Sequence, residues 1–373
     1  MRIAILWTGL SGYMNACLRE LASREGVELF VCHSAPERNA PFDESQFAWI
    51  ANRLMWRSER DLHSLDQRLQ SFSPDILIHP GWLVPTYRHL ARKFANKCWR
   101  VMTMDNCWNA TWKQRASTWI SRYYVQPLAD AVWLPGERQA VFARKLGFKQ
   151  HVILRGLYSC DQPEIEAAHI ERLTEGRALS RSFLFIGRFV PEKGIRTLAN
   201  AYQAYRQAHP APWPLVCCGR GPMKSELEGK PGVRVEGFVQ PRQMNELLSN
   251  AGCLVLPSKF EPWGVVVHEA ASAGLPILAS ERAGSVVHLV QPGYNGFIFN
   301  SEDAGGLAAA MSRISDMSKM QLDQMSRASN ELSRQFSPKR WADTLLDSFY
   351  ALARHVRSDF DPSDLNVSIS RQG

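Results

Sequence analysis

The sequence predicts an α/β protein of two Rossmann-like domains whose parallel sheets face each other across a cleft. Three observations carry this. Short apolar runs alternate with longer amphipathic ones through both halves of the chain, the rhythm of a parallel sheet covered by helices. Most of these runs end in glycine or in small or charged residues, as strands do where they deliver a ligand site at their carboxyl ends. The length, 373 residues, suits two domains that each bury a core of their own.

In chain order, Ile3-Ala4-Ile5-Leu6-Trp7 reads as the first strand, entering the turn Thr8-Gly9-Leu10-Ser11-Gly12. Residues 12–24 then read as a helix, with Tyr13, Ala16, Cys17 and Leu21 on one face. Val27–Cys32, Asp75–Ile78, Arg100–Met104 and Ala131–Leu134 are further strands. The second half repeats the pattern with Ser182–Ile186, Pro214–Cys218, Cys253–Leu256 and Pro276–Ala279. The resulting division is a first domain at 1–156, a polar linker at 157–181, a second domain at 182–340, and a helix with a polar tail at 341–373.

Composition narrows the class. Apolar residues make up 45% and charged residues 21%, as in globular proteins, and no apolar run approaches the ~20 residues needed to cross a bilayer. The first residues lack the long apolar core and cleavage site of a signal peptide, so a cytoplasmic location is expected. Eight scattered cysteines include no C-x-x-C pair and read as buried thiols. The net charge is +8, and residues 1–156 carry all of it: 21 Lys and Arg against 13 Asp and Glu. Within residues 82–122, eight basic residues meet one acid, Asp105, among Trp82, Trp99, Trp108, Trp112 and Trp119. Basic residues interleaved with tryptophan suit an anionic membrane face; some tryptophans in the core beside solvated cations is the plainer alternative. No nucleic-acid module is recognisable, so no nucleic-acid partner is expected.

Three segments point to chemistry. In Glu261-Pro262-Trp263-Gly264-Val265-Val266-Val267-His268-Glu269, Gly264 opens a helix that carries Glu269 in its second turn, while Glu261 lies in the loop before it. A helix start attracts phosphate, and a carboxylate beyond it can accept hydrogen bonds from paired sugar hydroxyls. Two solvated glutamates would be the ordinary reading of such spacing. In Gly187-Arg188-Phe189-Val190-Pro191-Glu192-Lys193-Gly194, two cations five positions apart follow a strand and can converge on a diphosphate, unless they are only surface charges near a turn. Gly9 and Gly12 allow a ligand close to the backbone, although a plain tight turn explains them as well.

Taken together, these segments resemble the family 4 retaining glycosyltransferases, the group 1 transferases, of GT-B fold. The resemblance is most specific from about residue 183 to 300. It implies that Glu261 contacts the donor sugar near the reacting carbon, that Glu269 contacts the nucleotide ribose, and that Arg188 and Lys193 hold the donor diphosphate. It further implies that Gly219-Arg220-Gly221-Pro222 is a turn near the nucleotide base, that the loop with Gly9 and Gly12 faces the diphosphate, and that the C-terminal helix crosses back to the first domain. Two positions depart from the family pattern. Asp105 stands where a histidine near the donor sugar is usual, and Gly284-Ser285-Val286-Val287-His288 replaces Gly-Gly-x-x-Glu.

The candidate catalytic residues are thus Glu261, Arg188, Lys193 and Asp105, the last alternatively a helix N-cap. The candidate donor-binding residues are Gly9, Gly12, Gly187, Gly219, Gly221, Gly264 and Glu269. The expected reaction is transfer of a sugar from a nucleoside diphosphate to a glycan or lipid-linked acceptor, with retention, in surface polysaccharide or glycolipid synthesis. The expected partners are a nucleotide-sugar donor, that acceptor, and an anionic membrane met through residues 82–122. Cations take the place of a metal, so neither metal nor cofactor is expected. A sugar-nucleotide epimerase, a phosphorylase, or a silent nucleotide-sugar-binding subunit are the competing readings.

Overall fold

The computed structural model describes residues 1–36 and 41–359, with side chains to 351. The first lobe runs β1 (Arg2–Trp7), α1 (Gly12–Ala22), β2 (Glu28–Ser34), β3 (Asn52–Trp56), α2 (Leu65–Phe72), β4 (Ile76–Pro80), α3 (Pro85–Lys93), β5 (Trp99–Thr103), α4 (Trp112–Tyr124), β6 (Ala131–Leu134), α5 (Glu137–Lys145) and β7 (Ile153–Arg155). After α6 (Gln162–Thr174), the second lobe runs β8 (Phe183–Ile186), α7 (Ile195–Ala208), β9 (Leu215–Cys218), β10 (Val233–Glu236), α8 (Pro241–Ser249), β11 (Cys253–Leu256), α9 (Val265–Ser272), β12 (Ile277–Ser280), α10 (Val286–Leu289), β13 (Gly296–Phe299), α11 (Ala304–Ser315) and α12 (Lys319–Ser333). A last helix, α13, spans Pro338–Asp359.

Both sheets are parallel throughout, in the orders β3-β2-β1-β4-β5-β6-β7 and β10-β9-β8-β11-β12-β13. In each, the order reverses beside the strand that opens the lobe, β1 or β8, and a crevice forms beyond the carboxyl ends there. The inner strands are apolar on both faces because helices cover both; β1, for example, has Ile3 to Leu6 completely buried.

Two expectations need correction. The stretch 157–181, expected as a polar linker, has no strand but is helical and packs with the second lobe. It contains α6, which contributes Ile165 to the core of the second lobe, with Cys160 and Leu179 on either side. Its polar sequence conceals a one-sided helix, in which the buried Arg172 hydrogen-bonds to the Ser326 hydroxyl at 2.6 Å and the Arg177 carbonyl at 3.0 Å. The last helix begins at Pro338 rather than 341, and it does return to the first lobe. There Trp341 packs on Trp133 with ring centroids 4.6 Å apart, and its indole N–H donates to the Leu157 carbonyl at 2.8 Å. The expected tail at 360–373 lies outside the described residues.

Candidate active site

The turn after β8 and the loop after β11 are built to meet. The Glu192 carbonyl accepts from the Lys259 and Phe260 amides at 2.8 and 3.1 Å, which sets Lys193 beside Glu261. The Lys193 ammonium and Glu261 carboxylate form an ion pair with only 15% and 13% of their side chains exposed. The Glu261 carbonyl accepts from Gly284 N–H at 2.9 Å, and a short parallel bridge joins Glu261 to Ala283. Arg188, one turn back, is exposed and has no carboxylate partner among the described residues.

Gly264 caps α9 in the left-handed region (φ 89°), where a side chain would be strained and would press on Glu261. Gly264, Val265 and Val266 line the cleft, so the start of α9 lies against it. Glu269, in the second turn, is partly accessible from the cleft, and its carboxylate has no hydrogen-bond partner among the described residues. Burial pushes it up to about 7. His268 of the same motif plays a structural part. Its Nδ1 accepts from Cys160 N–H at 3.1 Å while its Nε2–H donates to the Ser333 carbonyl at 3.1 Å, and burial lowers it to about 4.

The first lobe supplies the opposite wall. Ser11, Gly12 and Tyr13 line the cleft, and Gly12 faces Pro241 at the start of α8 so closely that a Cβ would collide with the proline ring. At the mouth, Phe42 and Phe238 meet edge to face at 5.2 Å, and Gln240 exchanges hydrogen bonds with the Pro41 carbonyl and Asp43 N–H. The cleft holds about 530 Å³. Arg188, Lys193, Glu261, Glu269, Gly12, Gly187, Gly219 and Gly264 all line it, together with Arg220 and Arg242.

Three predicted residues are not part of this lining. Gly9 lies behind the loop near Ser34, and Gly221 packs on the Phe189 backbone. Asp105 accepts from the Tyr158 hydroxyl at 3.2 Å, and Tyr158 meets Tyr13 edge to face at 5.4 Å, so Asp105 stands one ring behind the wall. It is not a helix cap: Thr111 caps α4, accepting from Gln114 N–H.

The sequence reading missed several contributors. Arg220 sits inside a segment valued for its glycines, and Arg242 follows the proline that opens α8. Gln139, fully buried, crosses between the lobes: its Nε2 donates to the Pro262 carbonyl at 2.6 Å and contacts Cys107 Sγ at 3.4 Å. Nearby, His288 Nε2 accepts from Glu137 N–H at 3.3 Å and Arg138 donates to the Glu281 carbonyl at 2.6 Å. No periodicity marks a lone glutamine for such a role. Among the described residues no cluster of three metal-ligating side chains occurs.

Residues 180–316 match the family model described as Glycosyl transferases group 1. An uncharacterized glycosyltransferase of Methanocaldococcus jannaschii is 31% identical over 141 residues, 36% of this chain and 35% of that one. The lipopolysaccharide core biosynthesis glycosyltransferase LpsD of Rhizobium meliloti is 27% identical over 215 residues, 56% of this chain and 60% of that one. This chain spans about a third of the length of several curated relatives it matches. The fold is similar to that of Anabaena HepE, solved in complex with UDP and glucose, with a TM-score of 0.69 at 15% identity, covering 94% of this chain and all of that one. Two parallel Rossmann-like sheets are thus shared with HepE, and a stretch of the second lobe, residues 180–316, is similar to the group 1 glycosyl transferases.

Proposed function

We propose that this protein transfers a sugar from a nucleoside-diphosphate sugar to a glycan or lipid-linked acceptor, with retention at the anomeric carbon. The observation that carries the reading is the convergence of Arg188, Lys193, Glu261 and Glu269 on one interlobe cleft. A diphosphate fits between the two cations and the start of α9, where charge building on the leaving group is stabilised in place. Glu269 faces the ribose hydroxyls as acceptor. Glu261, held by Lys193, faces the sugar. The departing phosphate takes the acceptor's proton, and the cations do the work that a metal does in other transferases, so chelation by EDTA is expected to leave turnover unchanged. That one relative is named for lipopolysaccharide core synthesis supports an acceptor of the cell-surface glycan or glycolipid class. On this reading the protein works beside the inner membrane face, through residues 82–122.

The test is a panel of radiolabelled nucleotide sugars incubated with the protein and membranes. Label moving to the lipid or glycan fraction, lost in Glu261→Ala with the fold intact, is the expected result. Isomerised nucleotide sugar, binding without turnover, or unchanged turnover in that variant refutes it.

A further inference from the structure

Helix α4 is built inside out. Its one fully buried side chain is Ser121, whose hydroxyl donates to the Leu146 carbonyl at 2.7 Å. Gln114 also turns inward, donating to the Cys107 carbonyl at 2.7 Å and accepting from Asn109 N–H at 2.8 Å. The large apolar side chains point out: Trp112 is 74% exposed, Trp119 88%, Ile120 52% and Tyr123 77%. Their spacing of 112, 119, 120 and 123 puts them on one stripe of the helix, and Leu83, 87% exposed, precedes α3. A soluble helix normally buries such a stripe, and leaving it in water is unfavourable by ~25 cal/mol per Å² of apolar surface.

Cations surround the stripe. Lys113, Arg115 and Arg122 lie on α4 itself, which contains no acidic residue, and neither does α3. Beside Trp119, an open pocket of about 660 Å³ is bounded by Trp108, Arg115 and Lys145, with the Lys145 ammonium 4.8 Å from the Trp108 ring centre. Neither Arg115 nor Lys145 has a carboxylate partner among the described residues. A second copy of this chain would set cations against cations. An anionic bilayer meets both requirements at once, because headgroup phosphates neutralise the cations while the aromatic rings enter the interfacial zone.

We infer that α4 docks this protein on an anionic lipid surface, with a lipid phosphate seated in the pocket between Arg115, Lys145 and the Trp108 and Trp119 rings. This deepens the membrane reading above and rests on it only for where the acceptor lies. The docking helix connects through the loop 104–111 to Asp105, behind the cleft wall, so an acceptor held in the bilayer would reach the cleft past this loop.

The experiment is co-sedimentation of the full chain with vesicles of phosphatidylcholine alone, or of phosphatidylcholine with roughly one-third phosphatidylglycerol. Binding to the anionic vesicles, weakened by salt, and little to the neutral ones is expected. Trp112→Ser with Trp119→Ser should abolish vesicle binding without changing the melting temperature, since both side chains are exposed. Arg115→Ala and Lys145→Ala should each weaken it about fivefold, the equivalent of ~1 kcal/mol per cation. Equal binding to both vesicles, wild-type binding by the double tryptophan variant, or binding to a DNA duplex but to neither vesicle overturns the proposal. Calorimetry with UDP on the same preparations reads the donor cleft separately, so loss of one signal without the other identifies which reading has failed.

Discussion

At pH 8 the Glu269→Gln variant is expected to melt at a higher temperature than the wild type. Burial raises the Glu269 carboxyl from 4.5 to about 7 in the folded protein. Between those values the unfolded chain ionises this group while the folded chain keeps it protonated. The folded state therefore loses stability as pH rises from about 4.5, and the loss is complete above about 7. The difference of about 2.5 units corresponds to about 3 kcal/mol at pH 8 and to less than about 1 kcal/mol at pH 5. Glutamine fills the same volume without a charge to desolvate. For a lobe of this size the gain amounts to a shift on the order of 5–10 °C. Scanning calorimetry of both proteins at pH 5 and pH 8 measures it, and titration with UDP-glucose on the same samples measures its cost in donor affinity. A variant that is less stable at pH 8, or a difference equal at both pH values, would refute the reasoning: Glu269 would then be held by partners that favour its charge. If Glu269 accepts from two ribose hydroxyls as proposed, it does so best as the carboxylate, and wild-type donor affinity should fall about tenfold from pH 8 to pH 6.

Three further outcomes are expected. Gln139→Met leaves the Pro262 carbonyl without its donor, at about 1–3 kcal/mol, and should lower donor turnover about tenfold or more while UDP affinity stays unchanged; Arg138→Ala, which also removes an interlobe bond, serves as the control that must not do the same. Gly12→Val should weaken donor binding by keeping Pro241 from approaching, and Pro241→Gly in the same chain should restore part of it, read by calorimetry with UDP. Trp341→Ala should destabilise the protein by about 3–5 kcal/mol, seen in denaturant melts, because it removes the partner of Trp133 from the first lobe's core.

The strands that could be read in the sequence are the interior ones of both sheets. Each is covered on both faces, so it appears as an unbroken apolar run such as Phe183-Leu184-Phe185-Ile186 or Cys253-Leu254-Val255-Leu256. The strands that were missed are β3, β7, β10 and β13, the four outermost ones. Asn52-Arg53-Leu54-Met55-Trp56 and Val233-Arg234-Val235-Glu236 have a neighbour on one side only and are partly solvated, so nothing in them demands an apolar run. The site follows the same logic. Arg188, Lys193, Glu261 and Glu269 could be found because each lies just past an interior strand in a motif of defined spacing. Gln139, the Phe42–Phe238 contact and the ring placed between Asp105 and the cleft depend on how the two lobes face each other. These contacts join residues from about fifty to about two hundred positions apart, and no local pattern encodes them.

The return of α13 to the first lobe means that this lobe is not continuous along the chain, the second lobe being inserted in it as one uninterrupted segment. A fragment ending near residue 160 would leave Trp133 uncovered and the Leu157 carbonyl without its indole donor. Swapping in a foreign second lobe to change donor preference would therefore need two junctions, one near Leu157 and one just before Pro338. A hybrid joined only once would inherit a terminal helix shaped for the wrong neighbour.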